Sequence, residues 1–564
     1  MKKIYTSFLT LLGACAATLS YAQTPFNTIE YIDANNVRAS ALVHGDMWWD
    51  PSTSKPACEF PKSAGTNVST AAGLWMSATD QSAQLHLAAQ TYRVAGNDFW
   101  PGPLDSATAI SYPTSSAWAR IWKVNSAEIS AFIIDTPHIL ANIPTSILEW
   151  PAKGNPYAKG ANNTPLTITR DMAPFFDADN NGSYNPLNGD FPLIKGNQML
   201  FWVFNDNGPL HNNTNGTPLR MEVKAIAYSY LVPNHPLNNI VYYEFNVTNR
   251  STNTYNGYRF GFHADVDLGN FSDDFIGFDS THRMGIVYNG KPTDGTGAAG
   301  EYGNSIPVAG VTMIQLPGDT LTSYLPAGSF MYYNNDNSGL GNPTTAAEYD
   351  HYLRSRFRDN THLINDYIAP GISSTGHGSG TNTNYVFPGN PNSSGLWSEC
   401  VSGNPPGDRR FVVASGDVNF AANATKKIGM ALVITNPGNT GCPNSSFSSI
   451  NISADTAWWY YYHPLATITY PQGGGGGNGI ANVVSQKTLT IYPNPASSVL
   501  YIDAAGSSSE ESVTLYDGTG RMIRPSFSRK NNILEVNIAG LPDGIYTVWY
   551  RSGNNSRSNV FVKH

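Results

Sequence analysis

The chain is 564 residues long with a mass of 61.0 kDa, which leaves room for roughly three or four domains of ordinary size. Hydrophobic residues make up 41% of it but charged residues only 13%, about half the roughly 25% of an average soluble domain. Asn, Ser, Thr and Gly must therefore make the surface polar, as is typical of all-β extracellular proteins. The net charge of −8, without any cluster of Lys and Arg, argues against a nucleic-acid partner.

The N-terminus has the pattern of a secretory signal peptide, predicted to span residues 1–22. Lys2 and Lys3 precede an apolar stretch, Ile4–Ala17, and a small-x-small site follows at Ser20–Ala22. Cleavage after Ala22 would leave Gln23 as the first residue. Beyond this segment, no apolar run approaches the roughly 20 residues that a transmembrane helix needs, so no transmembrane helix is predicted.

The chain contains four cysteines, and the first suggests a second interpretation of the N-terminus. Leu12–Cys15 is similar to a lipoprotein box, so lipidation at Cys15 is an alternative to cleavage after Ala22. Removal of the signal peptide leaves three cysteines with no close spacing, which do not form a metal site. Cys400 and Cys442 lie in neighbouring loop-rich segments and are the candidates for a disulfide, which would leave Cys58 without a partner.

The region 23–165 is predicted to be an N-terminal β-rich region. Gly73–Ala78 and Gln84–Arg93 are two strand-like runs joined by a short polar segment, which predicts a hairpin. Ser126–Phe132 is predicted to form one or two helical turns, and Ile143–Trp150 another short element.

The next region, 166–471, begins with a candidate calcium loop. The segment 177–184 runs DADNNGSY and places oxygen ligands at alternate positions, namely Asp177, Asp179, Asn181 and Ser183. Gly182 allows the tight turn, but position twelve is Asn188 instead of the usual bidentate Glu. Asp190 is the nearest carboxylate that could replace it. The sequence therefore predicts a calcium loop outside a helix-loop-helix setting, and the alternative is an Asx-rich turn without an ion.

Hydrophobic alternation predicts that the region 166–471 is a larger β-sandwich with long Gly/Asn-rich loops. In Val241–Thr248 the odd positions are apolar and the even positions are mostly polar, which is a strict period of two with one apolar face. Met221–Tyr230 and Tyr258–His263 have the same character. One helix is predicted, at Thr345–Arg356.

A second acidic stretch follows, with five carboxylates within fifteen residues: Asp265, Asp267, Asp273, Asp274 and Asp279. Such carboxylates repel one another unless a cation or solvent neutralises them. A second calcium site and a solvated acidic loop are equally good interpretations.

Neither catalysis nor glycan binding is fixed by the sequence. The chain lacks a His-Glu-x-x-His motif, a nucleophile elbow and a Walker loop, so no catalytic residue is predicted. Paired carboxylates for glycoside hydrolysis remain open, because their separation depends on the fold. The aromatic runs Trp48–Trp49, Phe99–Trp100 and Trp458–Tyr462 could stack on sugar rings, and the alternative is burial between sheets.

Gln472–Gly479 is nearly pure glycine, and the Gly-rich segment 472–486 is predicted to be a flexible linker to the C-terminal segment 487–564. In that segment, short β-branched or aromatic runs alternate with turn formers such as Pro493–Pro495 and Pro542–Gly544, which predicts a small antiparallel sandwich. The two prolines of Pro493–Pro495 cannot donate ladder hydrogen bonds, so this element belongs at an edge or a turn.

The C-terminal segment resembles the type A C-terminal sorting domain of the type IX secretion system of Bacteroidota. The motifs that carry the resemblance comprise Pro493, Asn494 and Pro495 after an apolar strand, Gly540, Leu541, Gly544 and Tyr546 near the end, and Lys563. The resemblance implies an immunoglobulin-like sorting sandwich, with the type IX machinery and its sortase as partners. It also implies export through the outer membrane to the cell surface or the medium. A structural C-terminal module is the alternative.

Three segments of the core, 73–80, 88–103 and 177–192, resemble uncharacterised Bacteroidota surface proteins that carry type IX tails, and this resemblance brings no activity with it. The sequence as a whole predicts an all-β protein of several sandwiches, exported and stabilised by calcium. Its expected role is structural or adhesive, with surface glycans as candidate partners. The alternative is a secreted hydrolase that acts on polysaccharide, or a carbohydrate-binding protein.

Overall fold

The computed structural model describes residues 27–92, 96–105, 114–208, 210–320, 323–436, 442, 448–468, 489–503, 511–517, 522–530, 532–552 and 555–563. The predicted signal peptide, its cleavage site at Ala22 and Gln23, and the glycine linker 472–486 lie outside the described residues.

Short strands and two helices form the first part of the chain. The strands are β1 (Ile29–Ile32), β2 (Arg38–Leu42), β3 (Trp49–Asp50), β4 (Lys55–Pro56), β5 (Cys58–Glu59), β6 (Asn67–Ser69), β7 (Ala71–Thr79), β8 (Leu85–Ala89), β9 (Trp100–Pro101) and β10 (Trp122–Asn125). The helices are α1 (Ser126–Ile134) and α2 (Thr145–Leu148). The predicted hairpin is present, since β7 and β8 pair antiparallel from Trp75↔Ala89 to Thr79↔Leu85.

Longer strands follow and supply most of the sheet structure. They are β11 (Phe175–Phe176), β12 (Phe191–Pro192), β13 (Gln198–Asn205), β14 (Met221–Ser229), β15 (Ile240–Asn249), β16 (Tyr255–Val266), β17 (Asp274–Asp279), β18 (Met284–Asn289), β19 (Val308–Gln315), β20 (Ser329–Asn334), β21 (Ile364–Asn365), β22 (Thr381–Asn382), β23 (Arg409–Ala414), β24 (Val418–Phe420) and β25 (Thr425–Thr435). Three helices accompany them: α3 (Ala346–Leu353), α4 (Glu399–Ser402) and α5 (Ser448–Tyr462). Helix α3 lies within the helix that was predicted at Thr345–Arg356.

Two large antiparallel sheets organise these strands. The nine-stranded sheet has the order β10-β13-β14-β15-β25-β19-β18-β17, with β9 paired to β13. The six-stranded sheet has the order β20-β23-β16-β7-β8, with β24 paired to β16, and β1, β2, β5 and β6 form a smaller sheet. The division predicted between residues 165 and 166 does not coincide with a break between the large sheets. Strand β7 pairs with β16, and β10 pairs with β13.

The two large sheets pack face to face around one apolar core. Odd-numbered residues of β15, such as Val241 and Phe245, are fully buried there against residues of the six-stranded sheet, such as Phe260 and Phe262. Trp48 is fully buried in the same layer and donates its indole N–H to the hydroxyl of Tyr243 at 2.9 Å. The alternation in β15 therefore indicates the apolar face correctly.

The opposite face of the nine-stranded sheet is also covered. Helix α5 packs its residues Ala454 and Ala457 against a second core that includes Tyr242 of β15 and Phe201 of β13, and helix α1 contributes Phe132. The aromatic run Trp458–Tyr462 belongs to this helix, with Tyr460 and Tyr461 buried. Phe99 is fully buried and Trp100 nearly so. Most residues of the three aromatic runs are therefore buried in the core, which favours the interpretation as core residues over stacking on sugar rings.

Cys400 and Cys442 form a disulfide with a Cα–Cα distance of 5.8 Å, and Cys58 is buried as a free thiol. Burial raises the pKa of the Cys58 thiol far above its ordinary value, so this cysteine is inert.

The C-terminal segment is a separate antiparallel sandwich with its own core. Its strands are β26 (Thr490–Tyr492), β27 (Val499–Asp503), β28 (Glu511–Asp517), β29 (Met522–Ile523), β30 (Phe527–Lys530), β31 (Ile533–Asn537), β32 (Gly544–Ser552) and β33 (Asn555–Lys563). They form two four-stranded sheets, β26-β27-β31-β30 and β29-β28-β32-β33. Strands hold 39% of the residues and helices 12%, which confirms the predicted all-β class with several sandwiches.

We predict that Tyr243→Phe lowers the free energy of unfolding of the core by about 1–3 kcal/mol, because the indole N–H of Trp48 would be buried without its acceptor. The measurement is chemical denaturation. Tyr242→Phe is the matched control on the neighbouring residue, since the Tyr242 hydroxyl has no hydrogen-bond partner among the described residues. Equal losses in the two variants would contradict the prediction.

Candidate functional sites

The Pro493–Pro495 motif holds the last strand of the C-terminal sandwich in place. It lies in the turn between β26 and β27, as the prolines predict. The Asn494 side chain accepts a hydrogen bond from the Val562 N–H at 2.9 Å and donates one to the carbonyl of Val560 at 3.1 Å. The Asn494 amide therefore pairs with the backbone of β33 between two prolines that have no N–H to donate.

The second sorting motif spans the turn before β32 and the start of that strand, and it contacts the same last strand. The Tyr546 hydroxyl donates to the carbonyl of Pro542 at 2.9 Å, and its ring stacks on Phe561 with centroids 5.6 Å apart. Lys563 lies 3.3 Å from the carboxylate of Asp543. Leu541 packs against the sandwich core, and no side chain crowds Gly540. The motifs that carry the sorting resemblance thus meet along strand β33.

The candidate calcium loop connects the two paired strands β11 and β12. Phe176 and Phe191 are directly opposite in that pair, so Asp177 and Asp190, the next residues on either side, are brought together at the base of the loop. Tyr184 is fully buried and anchors the loop through a hydrogen bond from its hydroxyl to the carbonyl of Ile147 at 2.7 Å. The flanking elements are strands, which is the non-helical setting that the sequence predicts.

Three carboxylates of the loop converge. Oxygens of Asp177, Asp179 and Asp190 all lie within 4.8 Å of one another. Asp190, fully buried, accepts hydrogen bonds from the N–H groups of Ala178 and Asn185, both at 2.8 Å. Burial raises the pKa of Asp190 to about 6, and the charges of Asp177 and Asp179 add to the increase. This donor set of hard oxygens fits a calcium ion.

The other predicted ligands of the loop lie on its exposed side. Gly182 has φ +77°, so position six adopts the left-handed conformation that favours glycine. The Asn181 side chain donates its amide to Asp179 at 2.8 Å, and its oxygen accepts the Ser183 N–H at 2.7 Å. Asn188, which stands where a Glu is usual, also donates to Asp179 at 2.8 Å. Asp190, and not Asn188, therefore contributes the third carboxylate of the cluster.

The second acidic stretch is divided by the fold. Asp265 and Asp267 lie with Asp408, and their oxygens are within 4.8 Å of one another. Arg410 pairs with Asp265 at 3.0 Å and with Asp408 at 2.9 Å. Burial raises the pKa of Asp265 well above its ordinary value, the charge of Asp267 raises it further, and Arg410 opposes both effects.

Asp273 and Asp274 hold neighbouring backbone. Asp273 accepts the Gly295 N–H at 3.1 Å, and Asp274 accepts the Leu268 N–H at 3.0 Å. Nearby, Glu301 accepts three backbone N–H groups and the side-chain amide of Asn270, which lower its pKa to about 2.

Asp279 lies at the far end of β17 from Asp274 and belongs to a different cluster. Its carboxylate is 2.5 Å from Nδ1 of His282, whose Nε2 is 2.9 Å from Asp455 of helix α5. Burial lowers the pKa of His282, but the hydrogen bonds to Asp279 and Asp455 outweigh it and raise the pKa to about 9. The structure therefore does not place Asp279 with the other four aspartates of the predicted site.

A lysine-lined cavity of about 350 Å³, which we call the lysine cavity, lies on the covered face of the nine-stranded sheet beside the calcium loop. Its ionisable lining residues are Lys153, Lys195, Lys224, Lys427, Asp171, Asp177 and Glu244. Sequence reasoning missed this site because its lysines are far apart in the chain. One signal for a buried charged site was available in the sequence: Glu244 is the one charged residue of strand β15.

Among the described residues, none of the helices combines the length and the apolar character that crossing a bilayer requires. Residues 490–564 match the family described as a secretion system C-terminal sorting domain. A comparison with curated proteins finds no match.

Two solved structures are similar to the chain at a low level. A polysaccharide lyase is 7% identical to this chain with a TM-score of 0.17. The match covers 70% of this chain and 39% of the lyase chain. The BSP domain of a biofilm-associated protein is 11% identical with a TM-score of 0.13, covering 82% and 80%. The chain thus spans well under half the length of the lyase, and TM-scores this low support no conclusion about fold or activity.

We predict that Asn494→Ala accelerates amide hydrogen exchange at Val562 and destabilises the C-terminal sandwich by about 1–2 kcal/mol, because two hydrogen bonds to strand β33 are lost. Exchange is followed by mass spectrometry on the full-length chain. Asn537→Ala is the control, since the Asn537 side chain accepts only a local bond from Ala539 at 3.1 Å. Unchanged exchange at Val562 in Asn494→Ala would show that the motif does not hold the strand.

Proposed function

We propose that this protein, which the sorting domain at residues 490–564 marks as a substrate of the type IX secretion machinery, is a calcium-stabilised structural or adhesive protein. The sorting domain directs it to the cell surface or the medium. The proposal concerns the large core, whose two packed sheets and covering helices carry the calcium loop on one side.

The convergence of Asp177, Asp179 and Asp190 carries the calcium part of the proposal. Three carboxylates within 4.8 Å of one another repel unless a cation neutralises them, and the raised pKa of Asp190 has this repulsion as one cause. Calcium prefers such oxygen ligands, and extracellular modules bind it with dissociation constants on the order of 10⁻⁴ to 10⁻³ M. An ion at this position would join the two ends of a loop that lies against the second core.

We assign calcium to this loop and not to the second acidic stretch. At Asp265 and Asp408, Arg410 already supplies the positive charge that a cation would bring. Asp273 and Asp274 use carboxylate oxygens to hold backbone N–H groups. Such bonds also occur in the loop and do not by themselves exclude an ion. Among the described residues, however, Asp273 and Asp274 belong to no cluster of three possible metal ligands, unlike Asp177, Asp179 and Asp190.

The adhesive role is tested by a binding and hydrolysis screen of the purified full-length chain against surface polysaccharides, with and without a chelator. We expect retention of at least one glycan without release of shorter products. Turnover of any polymer would instead favour the alternative, a secreted hydrolase. If the chain neither binds any glycan nor adheres to cells, the adhesive role is contradicted.

We predict that calcium at millimolar concentration raises the melting temperature of the core by about 1–2 °C, as expected for about 1–2 kcal/mol of binding free energy in a core of this size. Asp190→Asn should abolish this shift, because it removes the buried carboxylate that completes the site. The measurement is a thermal melt in calcium and in chelator. Asp336→Asn is the control, since Asp336 is an exposed loop aspartate that accepts the Ser338 N–H at 2.8 Å and belongs to no such cluster among the described residues. A calcium shift that survives Asp190→Asn would exclude this loop as the site.

The same shift should depend on pH. The pKa of folded Asp190, about 6, lies above its ordinary 3.8, so without calcium its protonation favours the folded chain. That contribution is complete below about pH 4 and is lost as the pH rises through 6. Because calcium requires the carboxylate form, the calcium-induced shift in melting temperature should be nearly complete at about pH 7 and smaller at about pH 5.

A further inference from the structure

We propose that the lysine cavity binds the carboxylate or sulfate group of an acidic saccharide. This inference rests on the proposed adhesive function, because it names the class of ligand that the core would hold. It does not depend on the calcium loop being occupied.

The floor of the cavity is a row of three side chains across adjacent strands. Lys224 of β14 is directly opposite Asn246 of β15, and Asn246 is directly opposite Lys427 of β25. Since neighbouring strands are about 4.8 Å apart, the two lysines project from the sheet about 10 Å from each other with an amide between them. At this spacing the two ammonium groups can donate hydrogen bonds to a carboxylate or sulfate of a ligand, and the amide can bond to a neighbouring hydroxyl.

At the deep end of the lysine cavity, one carboxylate forms ion pairs with two lysines. Glu244 is buried and pairs with both Lys195 and Lys427, the latter at 3.0 Å. These two lysines lower the pKa of Glu244 against the effect of its burial, so Glu244 is a carboxylate at neutral pH. One positive charge therefore remains beyond what Glu244 neutralises.

The lysines nearer the rim add to this excess. The Lys224 ammonium donates to the backbone carbonyl of Asp171 at 3.2 Å and has no carboxylate within ion-pair distance among the described residues. Lys153 lies 3.7 Å from the Asp171 carboxylate, and both side chains are exposed. Asp177 directs its oxygens to the N–H groups of Asn181 and Gly182. The cavity is thus a place where lysine charge exceeds the carboxylate charge that faces it.

The size and the remaining walls indicate a saccharide. At about 350 Å³ the cavity is at the lower end of the roughly 300–1,000 Å³ of small-molecule sites, which is larger than a bare inorganic anion needs. Phe175, Phe201 and Ile226 supply apolar surface against which the carbon face of a sugar ring can pack. The charged rim residues Lys153 and Asp171 are exposed, so the opening faces solvent.

The experiment titrates the full-length chain by calorimetry with oligogalacturonate, a sulfated oligosaccharide, a neutral galactose oligomer and inorganic phosphate. All titrations contain a chelator, so that calcium bridging plays no part. We expect binding of at least one of the two acidic oligosaccharides and none of the neutral oligomer. Lys224→Gln should weaken that binding at least about tenfold, because one hydrogen bond to a charged group is lost.

Lys426→Gln is the matched control. Lys426 precedes Lys427 in β25, so its side chain lies on the other face of the sheet, and its ammonium likewise donates to a backbone carbonyl, that of Pro317, at 3.2 Å. The affinity of the Lys426→Gln variant for the acidic oligosaccharide should equal that of the wild type. Lys153→Gln at the exposed rim is a second variant that does not threaten the fold, and it should weaken binding by a smaller factor.

Equal affinities of Lys224→Gln and Lys426→Gln, or binding of phosphate without either acidic oligosaccharide, would overturn the proposal. So would the absence of all binding. If the calcium-induced shift in melting temperature and adhesion to cells persist in that case, only the assignment of the cavity fails and the proposed function stands.

Discussion

The burial of both faces of the nine-stranded sheet is the constraint on which the rest of the structure depends. One face packs on the six-stranded sheet and buries Val241, Tyr243 and Phe245, while helix α5 covers much of the other. A carboxylate on the covered face cannot reach water freely, and a buried charge without a partner costs several kcal/mol. Glu244 occupies such a position, and Lys195 and Lys427 pair with it there. The lysine cavity lies beside this group of charges.

Local patterns in the sequence predict the elements well and their assembly poorly. The hairpin β7–β8, helix α3 and the apolar face of β15 follow from residues within about twenty positions of one another. The pairing of β7 with β16 joins residues nearly two hundred positions apart, and periodicity carries no information about such a partner. For the same reason a boundary at residue 165 was predicted where the strands on both sides share sheets. The alternation in β15 predicts one apolar face, and nothing local indicates the helix that covers the other face.

The candidate sites show the same division. Asp177 and Asp190 could be identified because both lie in one loop, and the pairing of β11 with β12 then brings their carboxylates together. The second acidic stretch is equally local, yet the strand β17 separates Asp274 from Asp279, and Arg410 reaches Asp265 from a different part of the chain. With few charged residues available, the fold uses many carboxylates as acceptors for backbone N–H groups. A dense run of aspartates is therefore weak evidence of a metal in this composition.

The calcium loop and the lysine cavity share a wall. Asp177 and Gly182 belong to both, so the charge of one site acts on the other across a short, partly buried distance. A calcium ion held by Asp177 would replace the negative charge on that side of the cavity with a positive one, and an anion in the cavity would in turn favour the cation. By linkage, each ligand must then strengthen the binding of the other by the same factor. If both sites bind as we propose, the chain in a medium that contains calcium holds acidic glycans more tightly than the same chain in calcium-free surroundings.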